Sequence, residues 1–160
     1  MQFTPTSIAD GGRSNFVKQQ QIWGEAESAA AEAVLRKVEE SGLETIRLSF
    51  ADQHGLLRGK VIEARDLASS FRNGCTMTSS LLAKDTSHRS VFPVFSSGGG
   101  FGMAEMAGAG DIIMVPDPAT FRLLPWSPKS GWLLCDIYFT NGRPVPFSTR
   151  GILRQALEEL

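Results

Sequence analysis

The hydrophobic period of this chain changes at Gly42, and that switch restricts the fold more than any other feature. From about Trp23 to Glu40 the sequence is rich in Ala and Glu, with Ala31, Val34, Leu35 and Val38 on one face, which predicts an amphipathic helix closed by Gly42. Thr45 to Ala51 then alternates, with Ile46, Leu48 and Phe50 pointing one way and Arg47 and Ser49 the other, before the turn-like Asp52-Gln53-His54-Gly55. A strand over Leu56 to Ile62 is expected to return antiparallel. Ala64 to Arg72 reads as a short helix ended by Asn73-Gly74, and Cys75 to Thr78 as the entry to a third strand. Asp111 to Val115, Phe121 to Leu124 and Gly131 to Thr140 are further strand patterns, broken by Pro116-Asp117-Pro118 and followed by Asn141-Gly142. The order predicts an α+β fold, a small mixed sheet with a helix across one face.

Both ends read differently from this centre. Residues 1–21 mix Thr, Ser, Gly and Gln with few large apolar side chains, and are expected to form a flexible N-terminal extension. At the other end Ser148 or Thr149 can cap a helix carrying Ile152, Leu153, Ala156, Leu157 and Leu160 at helical spacing. No terminating Gly, Asn or basic last turn follows, so residues 148–160 are expected to be a truncated helix whose apolar stripe needs partners supplied by something longer.

Charge and composition narrow the partners. Sixteen Lys plus Arg against 17 Asp plus Glu, without a like-charge block, give no row of cations for phosphates or an anionic bilayer, so nucleic acid and membrane are not expected partners. The longest apolar runs, Ile112–Val115 and Trp132–Cys135, are far below the ~20 residues that cross a bilayer. Met1 to Asp10 lacks the basic start and apolar core of a secretory signal, and a cytoplasmic location is expected. Cys75 and Cys135 fit no metal or redox spacing and are expected to be buried free thiols.

Catalytic signatures are sparse. With His54 and His88 as the two histidines, no metal-ligand set assembles, and no metal site is expected. A Ser–His–Asp set drawn from Ser79, His88 and Asp111 lacks a GxSxG elbow. Gly98-Gly99-Gly100-Phe101-Gly102 lacks the Lys-Ser or Lys-Thr of a phosphate loop and the strand and helix of a dinucleotide loop. It lies in a long segment, Thr78 to Gly110, that shows no sustained period and reads as a flexible flap passing close to another surface. Asp52, Gly55, Arg58, Gly59 and Lys60 form a polar cluster that either binds an anion or is a solvated turn. Asp111 and Asp117 read as caps on neighbouring amides, and Trp126 and Trp132 as packing residues.

Taken in order, Phe50-Ala51-Asp52-Gln53-His54-Gly55-Leu56-Leu57-Arg58-Gly59-Lys60, Gly74 with Ser79-Ser80, Asp111 through Thr120, Leu124-Pro125-Trp126, Cys135-Asp136 and Arg150 resemble the amino-terminal part of glutamine synthetase-like ligases. The likeness covers about Thr45 to Leu160 and looks nearest to γ-glutamylpolyamine synthetase-like branches. It implies a β-grasp amino-terminal domain over 22–147, with 148–160 the first helix of a catalytic domain otherwise absent from this sequence. It implies ATP and Mg2+ or Mn2+ as cofactors of the full-length parent, none of them held by this chain, and no catalytic residue within it.

In such ligases ATP phosphorylates the γ-carboxylate of glutamate, because a carboxylate is a poor electrophile, and ammonia or an amine then displaces phosphate. The resemblance places Thr78, Ser79, Ser80 and Asp111 as one wall of the amine site, completed by a neighbouring subunit in a homo-oligomeric ring. Ammonia-using members carry an acid in an Asp-Gly-Ser-Ser run, whereas this chain has Met77-Thr78-Ser79-Ser80, which implies a larger amine. The Asp-Pro-Arg common in relatives is Ser148-Thr149-Arg150 here. The alternative reading is a non-catalytic binding, regulatory or ring-assembly module.

Overall fold

The computed structural model describes residues 15–108 and 110–160. The expectation of a loose extension falls largely on residues outside this range. Within the described part of that stretch, Phe16–Gln19 forms a short helix, α1, whose start is capped by the Asn15 side chain accepting from the Lys18 amide.

Helix α2, Glu25–Glu40, follows the predicted stripe: Ala31, Val34, Leu35 and Val38 are its buried residues. Glu25 and Glu27 sit in its first turn, where the helix dipole favours negative charge, and Glu27 Oε2 accepts from the Gly24 amide at 2.9 Å. Gly42 takes φ +59 just past the helix, a conformation that costs a glycine nothing.

Strand β1, Thr45–Ala51, and β2, Leu57–Glu63, flank the Asp52–Leu56 turn, and α3, Leu67–Asn73, leads into β3, Cys75–Thr78. Strands β4, Asp111–Pro116, β5, Arg122–Leu123, and β6, Ser130–Phe139, complete the sheet, and α4, Thr149–Glu158, follows. Among the described residues the strands form one 6-stranded mixed sheet in the order β2-β1-β6-β4-β3, with β5 on β6. The fold is α+β, as the period switch predicts. Strand β1 pairs with β6 in parallel, Ile46 opposite Gly131 and Leu48 opposite Leu133, while β5 pairs antiparallel, Arg122 opposite Trp132.

Burial follows position in the sheet. Strand β4 is buried from Ile112 through Pro116, the continuous apolar reading of a strand covered on both faces. Strand β6 alternates, burying Leu133, Cys135, Ile137 and Phe139. Strand β2 lies at the sheet's edge and has no buried residue, with Val61 62% exposed. It approaches β1 so closely that a Cβ at Gly59 would lie 1.8 Å from the Leu48 carbonyl oxygen, which makes that position a glycine by contact.

The chain divides into two compact units. One comprises the described part of Met1–Ser49 with Gly59–Cys75 and Val115–Cys135. Its core includes Val34, Leu35, Ile46, Leu48, Leu67, Phe71 and Leu133, and Trp23 stacks on Phe71 at 5.5 Å between centroids. The other comprises Phe50–Arg58, Thr76–Met114 and Asp136–Leu160. It buries Phe50, Leu82, Val94, Met106, Ile112, Met114 and Phe139.

Three readings need correction. Trp126 is 74% exposed rather than packed, while Trp132 is half-buried. Cys135 is buried but Cys75 only half so, and both remain thiols. Asp111 is exposed at the start of β4, whereas Asp117 does cap, accepting from the Ala119 amide at 3.0 Å.

Candidate functional site

The four residues expected to form the amine wall meet at one corner of the second unit. Strand β3 ends at Thr78, a 3-10 turn runs through Ser79–Ala83, and the adjacent strand β4 begins at Asp111. The Ser79 amide donates to the Gly110 carbonyl at 2.8 Å, which ties the turn to the start of β4. Thr78 and Ser80 hydroxyls lie 2.9 Å apart in a hydrogen bond. Thr78 and Asp111 are exposed and Ser80 is half-buried. Ser79 is fully buried, and its hydroxyl finds no partner among the described residues.

This corner therefore offers two neutral hydroxyls and one exposed carboxylate, Asp111, on the residue after Gly110. Hydroxyls can accept from or donate to an amine nitrogen but supply no charge of their own. It does not assemble a nucleophile and base. His88 Nδ1 lies 3.0 Å from Arg58 Nη1, so the imaginable Ser79–His88–Asp111 set is not formed.

In the second polar cluster, read from sequence as either an anion site or a solvated turn, Gly55, Gly59 and Lys60 are exposed and Arg58 is half-buried, while Asp52 is drawn inside. Asp52 is 1% exposed; its Oδ1 accepts from the amides of His54 and Leu56 at 2.9 and 3.0 Å, and Oδ2 accepts from Arg58 Nε at 2.8 Å. Burial alone would raise the Asp52 pKa, but the Arg58 guanidinium and these two amides outweigh it and hold the carboxyl below its ordinary value. Arg58 Nη2 is buried and finds no partner among the described residues. The turn also reaches outward: Gln53 Nε2 donates to the carbonyls of Leu82 and Lys84 at 2.8 and 3.2 Å. The sequence signal was present in the spacing of Asp52 and Arg58, six apart across a tight turn; burial of the pair was not visible.

Two further ion-paired sets stand in the same unit. Asp136 accepts from Arg150 Nε at 3.0 Å and Arg154 Nη1 at 3.2 Å, and Glu105 accepts from Arg143 at 2.8 Å and Asn141 at 3.1 Å. The Thr149 hydroxyl donates to the Ala51 carbonyl at 2.9 Å, and Ser148 is the cap of α4, accepting from the Gly151 amide. The Gly-rich segment folds on itself rather than standing free. Gly100 donates to the Pro93 carbonyl, Gly108 to that of Val94, and Phe101 stacks between Phe92 and Phe147 at 4.7 and 5.6 Å.

No family model matches the chain. Among known proteins, the γ-glutamylanilide synthase of Acinetobacter sp is 40% identical over 149 residues, covering 91% of this chain and 30% of the relative. The glutamate–isopropylamine ligase of Pseudomonas sp is 32% identical over 123 residues, covering 76% and 26%. Proteins named glutamine synthetase align as well. A solved GmaS–ADP complex superposes with a TM-score of 0.58 at 30% identity, covering 78% of this chain and 24% of that one. This chain belongs to the glutamine synthetase family. It spans between a quarter and a third of the length of the curated relatives it matches.

The divalent metal that the family implies has no obvious holder in this segment. No group of three or more His, Cys, Asp or Glu side chains converges among the described residues. None of the described helices is long and apolar enough to cross a membrane.

Proposed function

We propose that this chain is the amino-terminal segment of an ATP-dependent glutamate–amine ligase and that its Thr78–Ser80 and Asp111 corner forms one wall of the amine site. On this reading residues 22–147 are the β-grasp domain and α4 begins the catalytic domain. Catalysis belongs to that larger protein, cytoplasmic and assembled as a homo-oligomeric ring, with ATP and Mg2+ or Mn2+ bound elsewhere in it. Glutamate and ammonia or an amine are its substrates.

The observation that carries the reading is the 40% identity, over 91% of the chain, to a protein named for joining glutamate to an aromatic amine. The corner supports it. A site for a small cation gains from an anionic oxygen held against it, whereas Thr78 contributes a neutral hydroxyl already engaged with Ser80. An amine that arrives uncharged and brings apolar bulk needs no such anion. The chain's part is to shape and orient, so that the amine nitrogen is held beside the activated carboxyl.

The test is phosphate release from ATP and glutamate by a protein carrying this segment, with ammonium, an alkylamine and aniline compared. The amine is expected to saturate at lower concentration than ammonium, and Thr78→Asp to shift kcat/KM toward ammonium by about tenfold, the worth of one charge-assisted hydrogen bond. Saturation at low ammonium with no turnover of either amine would refute the amine assignment. The alternative, a non-catalytic binding or ring-assembly module, predicts no phosphate release with any acceptor.

A further inference from the structure

The segment that follows the Thr78–Ser80 wall makes an excursion of its own. Lys84 bridges antiparallel to Ser90, the Asp85 amide donates to the Arg89 carbonyl at 2.9 Å, and the Val91 amide donates to Ala83 at 3.0 Å. His88 sits at its tip with φ +65, a left-handed conformation unusual for a side-chain-bearing residue. Such a conformation persists where surrounding contacts fix it. Here two carbonyls, Leu82 and Lys84, are held by Gln53, and the tip is held by Arg58.

The chemistry of the last contact is one-sided. A guanidinium has donors and no acceptor and keeps its proton throughout the physiological range. At 3.0 Å from Arg58 Nη1, His88 Nδ1 must therefore be the acceptor, which requires a neutral ring with its proton on Nε2. Protonating the ring turns that acceptor into a donor facing a donor and sets two cations against each other.

The other charged groups around the tip act in both directions, Lys84 adding a cation and Asp85 and Asp52 offsetting part of it. The contact therefore breaks on protonation chiefly because Nδ1 loses its lone pair. Lys84 Nζ donates to the His88 carbonyl at 3.1 Å, so a second cation is already present. Asp85 is engaged with the Arg89 amide at 2.8 Å, and Asp52 is committed to the far side of Arg58 at 2.8 Å. His88 itself is exposed, so protons reach it freely.

We propose that Arg58 and His88 form a proton-sensitive latch. Buried Asp52 fixes Arg58, Arg58 holds the neutral His88, and the pair pins the 82–91 excursion against the hairpin turn. Acidification releases the tip. Arg58 is thus a positioning residue for the segment that continues from Thr78–Ser80. The latch stands without the ligase reading; only its influence on amine binding rests on that reading.

Hydrogen–deuterium exchange on the 160-residue chain tests it, corrected for intrinsic rates, at about pH 8 and pH 5.5, on either side of the range in which histidine changes charge. Peptides covering 82–91 are expected to exchange about three- to tenfold faster at the lower pH. His88→Gln, which keeps an acceptor but cannot titrate, is expected to stay protected at both. His88→Gly, which keeps the left-handed backbone, is expected to exchange fast at both. Equal exchange of the unaltered chain at the two pH values, or pH dependence surviving in His88→Gln, overturns the latch. Nitrogen NMR of the unaltered chain gives an answer that no variant's folding can confuse: at about pH 8 His88 should carry its proton on Nε2, and a proton on Nδ1 overturns the proposal. Loss of ligase activity with an intact latch would count against the proposed function alone.

Discussion

The two compact units solve opposite problems with their charges and their helices. In the first, the α2 stripe is closed, with Ala31 fully buried and Leu35 8% exposed, while the ion pairs Glu63–Arg65 and Glu44–Lys129 sit with side chains at least 60% exposed. In the second, the ion pair Asp52–Arg58 is drawn inside, at 0% and 15%, while the α4 stripe stays outside, with Leu153 and Leu157 each 61% exposed. Amphipathic period alone therefore does not tell which helix is packed, and the presence of a charge pair does not tell whether it carries weight. Location decides both.

Removing Asp52 should produce the largest effect. Asp52→Ala leaves the half-buried Arg58 guanidinium and the amides of His54 and Leu56 without their acceptor, and about 3–5 kcal/mol of stability should be lost in urea unfolding. An effect below about 1 kcal/mol would erase the distinction between the two kinds of ion pair. The same group predicts an acid response. Because the folded carboxyl titrates below its ordinary value, the native state binds fewer protons than the unfolded chain. Its contribution is complete above about pH 4 and is lost as pH falls through the folded value, so Asp52→Ala should flatten stability against pH in that window.

Next in size is a comparison of the helices. Leu35→Ala should cost about 2–4 kcal/mol through the cavity it leaves, and Leu157→Ala within about 0.5 kcal/mol, by thermal or urea melting of this chain. A large cost at Leu157 would mean that α4 is covered in solution. The smallest effect belongs to Glu63→Gln on the edge strand, which should change stability by no more than about 0.5 kcal/mol because an exposed pair in water gains little.

Much of the fold was legible because it obeyed period. Ile46, Leu48 and Phe50 alternate and are buried as alternation requires, and Ala31, Val34, Leu35 and Val38 recur every third or fourth residue and pack as one stripe. What escaped was long-range and polar. That β1 lies parallel to β6 rests on partners eighty-five residues apart, as Thr45 and Ser130 are, and no local pattern encodes it. Asp52 looked like a turn residue because it is one; its burial depends on what packs over the turn. His88 carried no pattern at all, since the meaning of its ring comes from Arg58, thirty positions away. The corner at Thr78, Ser79, Ser80 and Asp111 was legible only through family likeness. Its assembly by the Ser79 to Gly110 bond explains why a short run and a distant aspartate share one place.

The way α4 is fastened has a mechanical implication. Its first turn is moored by Thr149 to Ala51 and by Arg150 to Asp136, with Arg154 reaching the same carboxylate one turn on, while its apolar stripe is exposed. A rod clamped at its root transmits any load placed on its shaft to the clamp. One point of that clamp is the Ala51 carbonyl, directly before Asp52, so a load on the exposed stripe would be felt at the turn that carries the Asp52–Arg58 pair.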